Sequence, residues 1–420
     1  MMIDVLGEDI SKIIVDDEWN FGKEDEKLMH SIHSYPAKFP AFIAKKAFEY
    51  AEEEGVKVET VSDIFCGCGT VALEAKLHNK NFCGYDINPV ATLIAQAKSA
   101  DYKAGKLEEL YRNVIENVEQ FELRENVYEE ANERLKYWFS ETSYQELYKL
   151  KHSIINNTPQ GRYRKAFLCI FSSILKSTSR WLTKSIKPQI DPNKKVVSAK
   201  KAFTTQYNKF LRAVLELEGE KYKGKISIKN QNFLKANKLP EVDLIITSPP
   251  YVTSYEYADL HQLSSLWLGV TEDYKDLRKG SIGSVYNSDQ ISICTRALNK
   301  TGSEIVKELQ KNAVPKAKIR SVIRYYSDMQ EVVKRCEKMV SEKGMVFFVI
   351  GDTEYKGVKI QNSKHLIEAL RDSNFRYIKA TKRKISNKLC IPYRDETGKF
   401  SSDKTQREIY HEEWIISGRK

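Results

Sequence analysis

The chain has 420 residues, of which 41% are hydrophobic and 30% charged, a composition that excludes a wholly disordered protein. Its apolar runs fall far short of the ~20 residues of a membrane helix, and its first residues lack the basic and apolar regions of a secretory signal, so we expect a cytoplasmic protein with no membrane contact. Lysine and arginine outnumber aspartate and glutamate by 68 to 57, and the net charge of +11 makes a polyanionic partner worth testing.

The segment from residue 41 to residue 99 alternates between predicted helices and strands. Apolar residues at helical spacing predict a helix over 41–54 that ends at Gly55. A strand over 60–65, a glycine turn and a helix over about 70–78 follow. A second strand then ends at Asp86, and a helix covers 89–99. This order is typical of a parallel α/β unit.

Residues 63–70 form the glycine turn, with the sequence Asp-Ile-Phe-Cys-Gly-Cys-Gly-Thr. Glycines let the backbone turn sharply off a strand and approach a ligand closely, with the amino end of the next helix facing the site. Asp86 lies 19 residues after Gly67, at the end of the next strand, where it can bind ribose hydroxyls. Dehydrogenases and methyltransferases both place an acidic residue there, and a purely structural turn is the third alternative.

The seven cysteines form an odd set without a Cys-x-x-Cys pair. We therefore expect reduced thiols in a reducing compartment, with neither a disulfide framework nor a metal site. Cys66 and Cys68 then serve as small residues of the glycine turn.

A long, polar and helical pattern covers residues 103–215, and the charge of the chain is concentrated in it. Residues 101–150 carry 7 basic and 12 acidic side chains, whereas residues 151–210 carry 13 basic side chains and one acidic. The basic block also contains aromatic residues at Tyr163, Phe167, Phe171, Trp181, Phe203, Tyr207 and Phe210. Cations beside flat rings are typical of a nucleic-acid surface, and a solvated helical face over an aromatic core is the alternative.

Short strands resume after this helical segment, so an α/β domain is interrupted by an insertion and then completed. The predicted strands cover 225–229, 242–246, 345–350, 377–384 and 408–417. Helices are predicted over 328–342 and 362–371, and the strongly polar residues 271–320 are predicted to form loops.

Ser248-Pro249-Pro250-Tyr251 follows an apolar strand at the carboxyl end, where α/β folds place their active sites. Two prolines in series make a rigid edge with carbonyls that can accept hydrogen bonds. Ser248 adds a hydroxyl acceptor and Tyr251 a stacking face, so the four residues can hold a planar heterocycle by its exocyclic amine. A Pro-Pro turn that only stops the strand is the alternative.

With these residues in place, the chain resembles the S-adenosylmethionine-dependent DNA amino-methyltransferases of restriction–modification systems, which methylate the exocyclic amine of cytosine or adenine. Ser248 to Tyr251 resembles their catalytic tetrad in the form usually associated with cytosine. Other segments resemble further family motifs: 33–40, 63–70, 84–89, 261–269, 326–329 and 349–352. The matches cover about 30–100 and 225–420 and leave the insertion unmatched.

The resemblance implies a class I methyltransferase fold, an α/β, Rossmann-like and mostly parallel sheet. Its catalytic domain would cover 30–102 and 225–420, after an N-terminal segment over 1–29, and a basic helical insertion over 103–224 would bind DNA. Asp86 would hold the ribose hydroxyls and Ile87 would pack on adenine, while Lys38 and Phe39 close over the cofactor. The full implied cofactor set is Tyr35, Pro36, Lys38, Phe39, Asp63, Phe65, Cys66, Gly67, Gly69, Thr70, Asp86, Ile87, Asn88 and Asn230. The family often has an acidic residue where this chain has Asn230, and Asp63 has a structural role as its alternative.

The implied reaction is methyl transfer to the N4 amine of a cytosine flipped out of double-stranded DNA. Tyr251 would stack on the base while Ser248 and the Pro249 carbonyl accept the amine hydrogens beside Pro250. The expected DNA contacts are Arg162, Arg164, Lys165, Lys194, Lys195 and His261, with a packing role as the alternative for His261.

Four other functions remain open at this point: adenine-N6 methylation, RNA base methylation, a nicotinamide dehydrogenase and a non-enzymatic DNA-binding protein. The dehydrogenase leaves the tetrad without a role, and the DNA-binding protein explains neither motif. A separate cognate restriction endonuclease is an expected partner of the system.

Overall fold

The structure is a computed structural model. It describes residues 2–5, 10–20, 26–36, 38–252, 257–284, 298–385 and 412–420, together with isolated positions between 393 and 408. Across these residues no helix is both long and apolar enough to cross a membrane.

An eight-stranded sheet organises the fold, in the order β1-β9-β13-β6-β5-β2-β3-β4. The strands are β1 Ile3–Asp4, β2 Thr60–Asp63, β3 Asn81–Asp86, β4 Ile226–Asn230, β5 Val242–Thr247, β6 Val340–Ile350, β7 Thr353–Tyr355, β8 Val358–Ile360, β9 Tyr377–Lys384, β10 Tyr393–Arg394, β11 Phe400–Ser401, β12 Arg407–Glu408 and β13 Glu412–Arg419. β2 to β6 are parallel, and β13 lies antiparallel between β6 and β9. This is the strand order of the class I methyltransferase fold, which confirms the predicted fold class.

Helices pack on both faces of the sheet and extend beyond it. They are α1 Ala41–Glu53, α2 Thr70–Leu77, α3 Pro89–Ser99, α4 Ala104–Gln120, α5 Glu133–Trp138, α6 Glu141–Asn157, α7 Arg162–Ile174, α8 Ala199–Leu217, α9 Tyr257–Leu260, α10 Gln262–Trp267, α11 Lys300–Lys311, α12 Lys316–Met339 and α13 Asn362–Asp372. The predicted loop over 271–320 is therefore wrong at its end, because α11 lies inside it and α12 begins at residue 316. Charged residues make up 5 of the 12 residues of α11 and 10 of the 24 residues of α12, so their polar composition resembles that of a loop, although each helix buries one apolar face.

The insertion contains α4 to α8 and shares a hydrophobic core with α3 and α10. Six of the seven aromatic residues of the basic block are buried in this core, namely Phe167, Phe171, Trp181, Phe203, Tyr207 and Phe210. Their proposed contribution to a nucleic-acid surface is therefore wrong. The helical spacing of the rings is that of a packed helix face, and burial of large apolar surface stabilises the fold.

Residues 2–5 and 10–20 pack on the central sheet, within the stretch predicted as an N-terminal segment over 1–29. β1 pairs with β9 at the edge of the sheet. Trp19 is buried and stacks on Phe347 of the sheet with a ring-centroid distance of 5.6 Å.

Candidate active site

The strand order reverses between β2 and β5, and the site lies where their carboxyl ends meet. Asp63 ends β2 and Thr247 ends β5; the threonine hydroxyl donates a hydrogen bond to Asp63 Oδ1 at 2.7 Å. The Phe65 amide donates to the same oxygen at 3.0 Å. Ligands of α/β sheets bind at such a reversal point. Asp63 is thus a buried connection between the glycine turn and the tetrad strand.

The glycine turn depends on two left-handed residues. Gly67 has φ +48° and Gly69 has φ +76°. A Cβ atom on Gly69 would lie 2.6 Å from the Cβ atom of Ala95, so only glycine lets the turn pack on α3. Cys66 and Cys68 are free and buried within the turn. Gly69 therefore holds the turn against α3, while Gly67 faces the cleft.

Asp86 ends β3 and holds the glycine turn through its carboxylate. Its Oδ2 accepts from the Gly67 amide at 2.8 Å, and its Oδ1 accepts from the Asn88 amide at 2.8 Å. Burial raises the pKa of Asp86 to about 6, although both hydrogen bonds favour the charged form. Each carboxylate oxygen has a second lone pair, so Asp86 can still accept from a ligand.

An open cleft lies between the glycine turn and the tetrad. Six of the predicted cofactor residues line it: Tyr35, Phe65, Gly67, Asp86, Ile87 and Asn88. Ser248, Pro250 and Tyr251 of the tetrad line the same cleft, and Pro249 between them is buried. The structure therefore brings the glycine turn and the tetrad, which lie about 180 residues apart in the sequence, to one cavity.

The other predicted cofactor residues lie outside the lining. Asp63, Cys66 and Thr70 are buried, and Asn230 donates a hydrogen bond from Nδ2 to the Asp86 backbone carbonyl at 3.1 Å. Lys38 pairs with Glu26 at 2.8 Å. The remaining residues outside the lining are Pro36, Phe39 and Gly69. The segment after β4 reaches the cleft through Gln231, Asn232, Phe233 and Leu234 instead.

His261 is a packing residue, so its predicted contact with DNA is wrong. It is buried, and its ring stacks on Tyr35 at a centroid distance of 4.8 Å. Burial lowers the pKa of His261 to about 4, which keeps the imidazole neutral. A neutral, buried ring supports Tyr35 at the cleft and does not reach a phosphate.

Two of the predicted basic DNA contacts are used inside the protein. Arg164 caps α6 by donating from Nη2 to the Ile155 carbonyl at 2.9 Å and from Nε to the Thr158 carbonyl at 3.1 Å. Lys194 donates to the backbone carbonyls of Lys176 and Trp181, both at 2.6 Å. Burial and the nearby Lys176 lower the pKa of Lys194 to about 8. Sequence composition counts such cations as free charge, and the structure removes both from the contact set.

Comparisons with known proteins agree with this geometry. Residues 8–97 match the N6/N4 methyltransferase family model, described as DNA methylase. The type II methyltransferase M.MvaI of Kocuria varians is 24% identical over 407 residues, which cover 90% of this chain and 88% of that protein. M.BsoBI of Geobacillus stearothermophilus is 26% identical over 291 residues, 60% of this chain and 56% of that protein. These matches confirm the predicted resemblance: the chain is a DNA methyltransferase similar to the type II enzymes of restriction–modification systems.

A solved rRNA methyltransferase, aviRa of Streptomyces viridochromogenes, covers 94% of both chains with a TM-score of 0.31 and 10% identity. The strand order of the chain itself identifies the class I fold.

The methyl donor is S-adenosylmethionine, and the cleft fits it. Asp86 and Ile87 line the cleft; by the resemblance, the Asp86 carboxylate would accept from the ribose hydroxyls and Ile87 would pack on the adenine ring. Gly67 has no side chain, and its Cβ position would lie 3.8 Å from the Tyr35 ring in the same cleft, so the turn leaves space for the methionine part. When bound, S-adenosylmethionine supplies an electrophilic methyl group on a sulfonium.

Sequence analysis missed one wall of the cleft. Residues 277–284 contribute Leu277, Arg278, Gly280, Ser281, Ile282, Gly283 and Ser284, and α12 contributes Lys318, Ser321, Tyr325 and Val332. The Gly283 amide donates to Asp328 Oδ2 at 3.0 Å and the Ser321 hydroxyl to the Gly283 carbonyl at 2.9 Å. These contacts join residues 277–284, for which the sequence predicted only a loop, to the helix that contains the 326–329 motif, so only the fold shows that they meet.

The wild-type protein is expected to lose stability as the pH rises because Asp63 must ionise in a buried place, and we expect Asp63→Asn to abolish this loss. Burial raises the pKa of Asp63 from 3.8 to about 7, so the folded protein loses stability as the pH rises through this window. The amide oxygen of asparagine still accepts from Thr247 and Phe65. The free energy of unfolding of the variant relative to wild type should therefore increase by roughly 4 kcal/mol between pH 4 and pH 8.

Urea unfolding at several pH values measures this difference, and a constant cost of the substitution cancels between them. Cofactor affinity, measured by calorimetry, should stay unchanged because Asp63 lies behind the cleft. A stability difference that does not vary with pH contradicts the prediction. Loss of cofactor affinity in a folded variant would instead support the cofactor contact implied by the resemblance.

Proposed function

We propose that this methyltransferase transfers a methyl group to the N4 amine of cytosine in double-stranded DNA, at a specific sequence and on a flipped-out base. The observation that carries the proposal is the position of Ser248, Pro250 and Tyr251 in one cleft with Asp86 and the glycine turn. Adenine-N6 methylation uses the same cleft chemistry and is the second candidate. Ser248 at the head of the tetrad favours cytosine.

Three of the four tetrad residues bind the flipped base directly. Tyr251 stacks on the flipped ring, which contributes roughly 1–3 kcal/mol. Ser248 Oγ and the Pro249 carbonyl accept the two amine hydrogens, which turns the nitrogen lone pair toward the cofactor methyl. The nitrogen–carbon bond forms as the sulfur–carbon bond breaks, and the amine then releases one proton to water. Positioning and stabilisation of developing charge supply most of the acceleration.

Nucleoside mass spectrometry tests the product directly. DNA treated with the enzyme and labelled S-adenosylmethionine should yield labelled N4-methylcytosine after digestion. We expect Ser248→Ala to lower the rate of transfer by roughly 10- to 100-fold, the effect of one lost hydrogen bond to a charged centre, with unchanged cofactor affinity. Labelled N6-methyladenine without methylated cytosine contradicts the base assignment and leaves the enzyme class in place.

The two ends of α7 lie at different distances from the cleft, so the basic residues 151–210 fall into a remote group and a group near the cleft. α7 begins beside Tyr102, whose ring meets that of Tyr163 edge to face at 5.7 Å. Tyr102 follows α3, which starts next to Asp86, so α7 begins at the edge of the sheet away from the cleft. α7 ends near the site, where Ser172 contacts His33 at 3.1 Å and Ser264 of α10 at 2.8 Å.

We propose that residues 181–198, the lysine loop, contact the DNA backbone. This loop follows the cleft end of α7 and exposes Lys184, Lys187 and Lys195. Internal contacts fix the shape of this loop, since Trp181 pairs with Ile190 and the half-buried amine of Lys194 donates to two backbone carbonyls. Arg162 and Lys165 are also exposed, but they lie at the remote end of α7. The insertion over 103–224 is then the DNA-binding part of the protein.

A further inference from the structure

A charged pair near the end of the chain holds the phenol hydroxyl of Tyr251. Tyr251 donates a hydrogen bond to Oε1 of Glu413 at 2.9 Å. Oε2 of Glu413 accepts from Nε of Arg383 at 2.9 Å and from Nη2 at 2.6 Å. We infer that Glu413 is a positioning residue that fixes the Tyr251 ring for the target base, and that Arg383 holds Glu413 in place. The inference rests on the proposed stacking role of Tyr251.

The strand pairing brings these residues to the site edge of the sheet. Glu413 and Arg383 lie directly opposite each other in the ladder between β13 and β9. β13 runs antiparallel to β6, so its first residues lie beside the carboxyl end of β6, where Trp414 pairs with Ile350. The next residue of the chain, Gly351, is in contact with Tyr251. The neighbouring strands β9 and β13 thus place Arg383 and Glu413 beside Tyr251 of the tetrad.

Stability alone gives a weak reason for this pair. The side chains of Arg383 and Glu413 are only 5% and 15% exposed. Replacement of a buried ion pair by apolar residues is often neutral or stabilising, because desolvation offsets the attraction, whereas removal of one partner leaves a costly unpaired charge. The Glu413 carboxylate accepts a hydrogen bond from Tyr251, a contact that an apolar pair at these positions would not provide.

Gly351 supplies a second restraint on the same ring. A Cβ atom at this position would lie 2.7 Å from Cε2 and 3.3 Å from Cδ2 of Tyr251, so the ring occupies the space that any other residue would fill. The rigid Pro250 restrains the other end of the side chain through the backbone. A ring that is fixed before the base arrives loses less conformational entropy on binding and meets the base in one orientation.

The position in the sheet separates this effect from cofactor binding. β6, β13 and β9 lie on one side of β5, whereas β2 and β3, which carry the glycine turn and Asp86, lie on the other. Variants at Glu413 should therefore change the catalytic rate and leave cofactor affinity unchanged.

The experiment measures kcat, the KM for DNA and the Kd for S-adenosylmethionine in Tyr251→Phe, Glu413→Ala and the double variant. Each single variant should lower kcat by roughly tenfold or more, and the double variant should lose no more than either, because all three remove one interaction. Arg383→Gln with Glu413→Gln replaces the ion pair by two neutral amides and keeps an acceptor for Tyr251, so it should recover most of kcat. Glu412→Ala is the matched control, since the Glu412 carboxylate lies 3.8 Å from Lys382 on the same strand pair.

A wild-type kcat in Tyr251→Phe overturns the inference. It is also overturned if Glu413→Ala lowers kcat by the same factor in the wild-type and the Tyr251→Phe backgrounds. A wild-type kcat in a folded Glu413→Ala protein overturns it too. A wild-type protein that binds the cofactor and methylates no DNA overturns the proposed function itself, which is a distinguishable result.

Discussion

Asp86→Ala is expected to weaken S-adenosylmethionine binding by roughly a hundredfold or more. The substitution removes the proposed acceptor of the two ribose hydroxyls, and hydrogen bonds to a charged group are worth about 1.5–3 kcal/mol each. It also leaves the amides of Gly67 and Asn88 without their shared carboxylate. Calorimetry on a variant with a native melting curve gives the Kd.

The pH dependence of cofactor affinity gives an independent check on the same residue. The pKa of Asp86 is raised to about 6 by burial, and the protonated carboxyl is the poorer acceptor. Wild-type affinity should therefore decrease as the pH falls below about 6, by up to roughly tenfold per pH unit. The dependence should disappear in Asp86→Ala and persist in Asp63→Asn. Unchanged cofactor affinity in folded Asp86→Ala would remove Asp86 from the cofactor site.

The parts of the site that could be predicted from sequence are those in which one short segment carries both structure and chemistry. Asp86 and Ser248 to Tyr251 each follow an apolar strand, and parallel strands place their carboxyl ends at one edge. The fold class could be predicted from the resemblance of these segments to the methyltransferase family. Glu413 and Arg383 could not be predicted, because their connection to Tyr251 depends on the register of β9 against β13.

Charge and aromatic content were poorer predictors of which side chains of the basic block, residues 151–210, are exposed to a partner. Lys194 and Lys195 are adjacent in the sequence, yet one is half-buried on backbone carbonyls and the other is exposed. Phe203 and Tyr207 lie one helical turn apart, a spacing that fits a base-stacking face and a packed core equally well, and both are buried. In each case, burial or exposure of the side chain depends on which helices pack together. Amino-acid composition does not carry that information.

Replacement of Lys184, Lys187 and Lys195 by alanine is expected to weaken DNA binding by roughly 10²-fold or more at 0.1 M salt. If the protein neutralises about five to eight phosphates, the logarithm of affinity falls with the logarithm of salt concentration at a slope near −4.5 to −7. Loss of three phosphate contacts makes this slope less steep by about 2.7. Cofactor affinity should not change, because the lysine loop lies outside the cleft lining.

The matched control removes three exposed charges at the remote end of α7, namely Lys103, Arg162 and Lys165. Both variants lose the same net charge, so a general electrostatic effect would weaken DNA binding equally in the two. Direct contact by the lysine loop predicts a flattened salt slope only in the first variant, with fluorescence anisotropy as the measurement. A flattened slope only in the control would place the DNA at the start of α7, as the composition of the basic block alone would allow. If both variants keep the wild-type slope, the contact surface lies elsewhere, and the polar 271–320 segment, which contributes a wall of the cleft, becomes the next candidate.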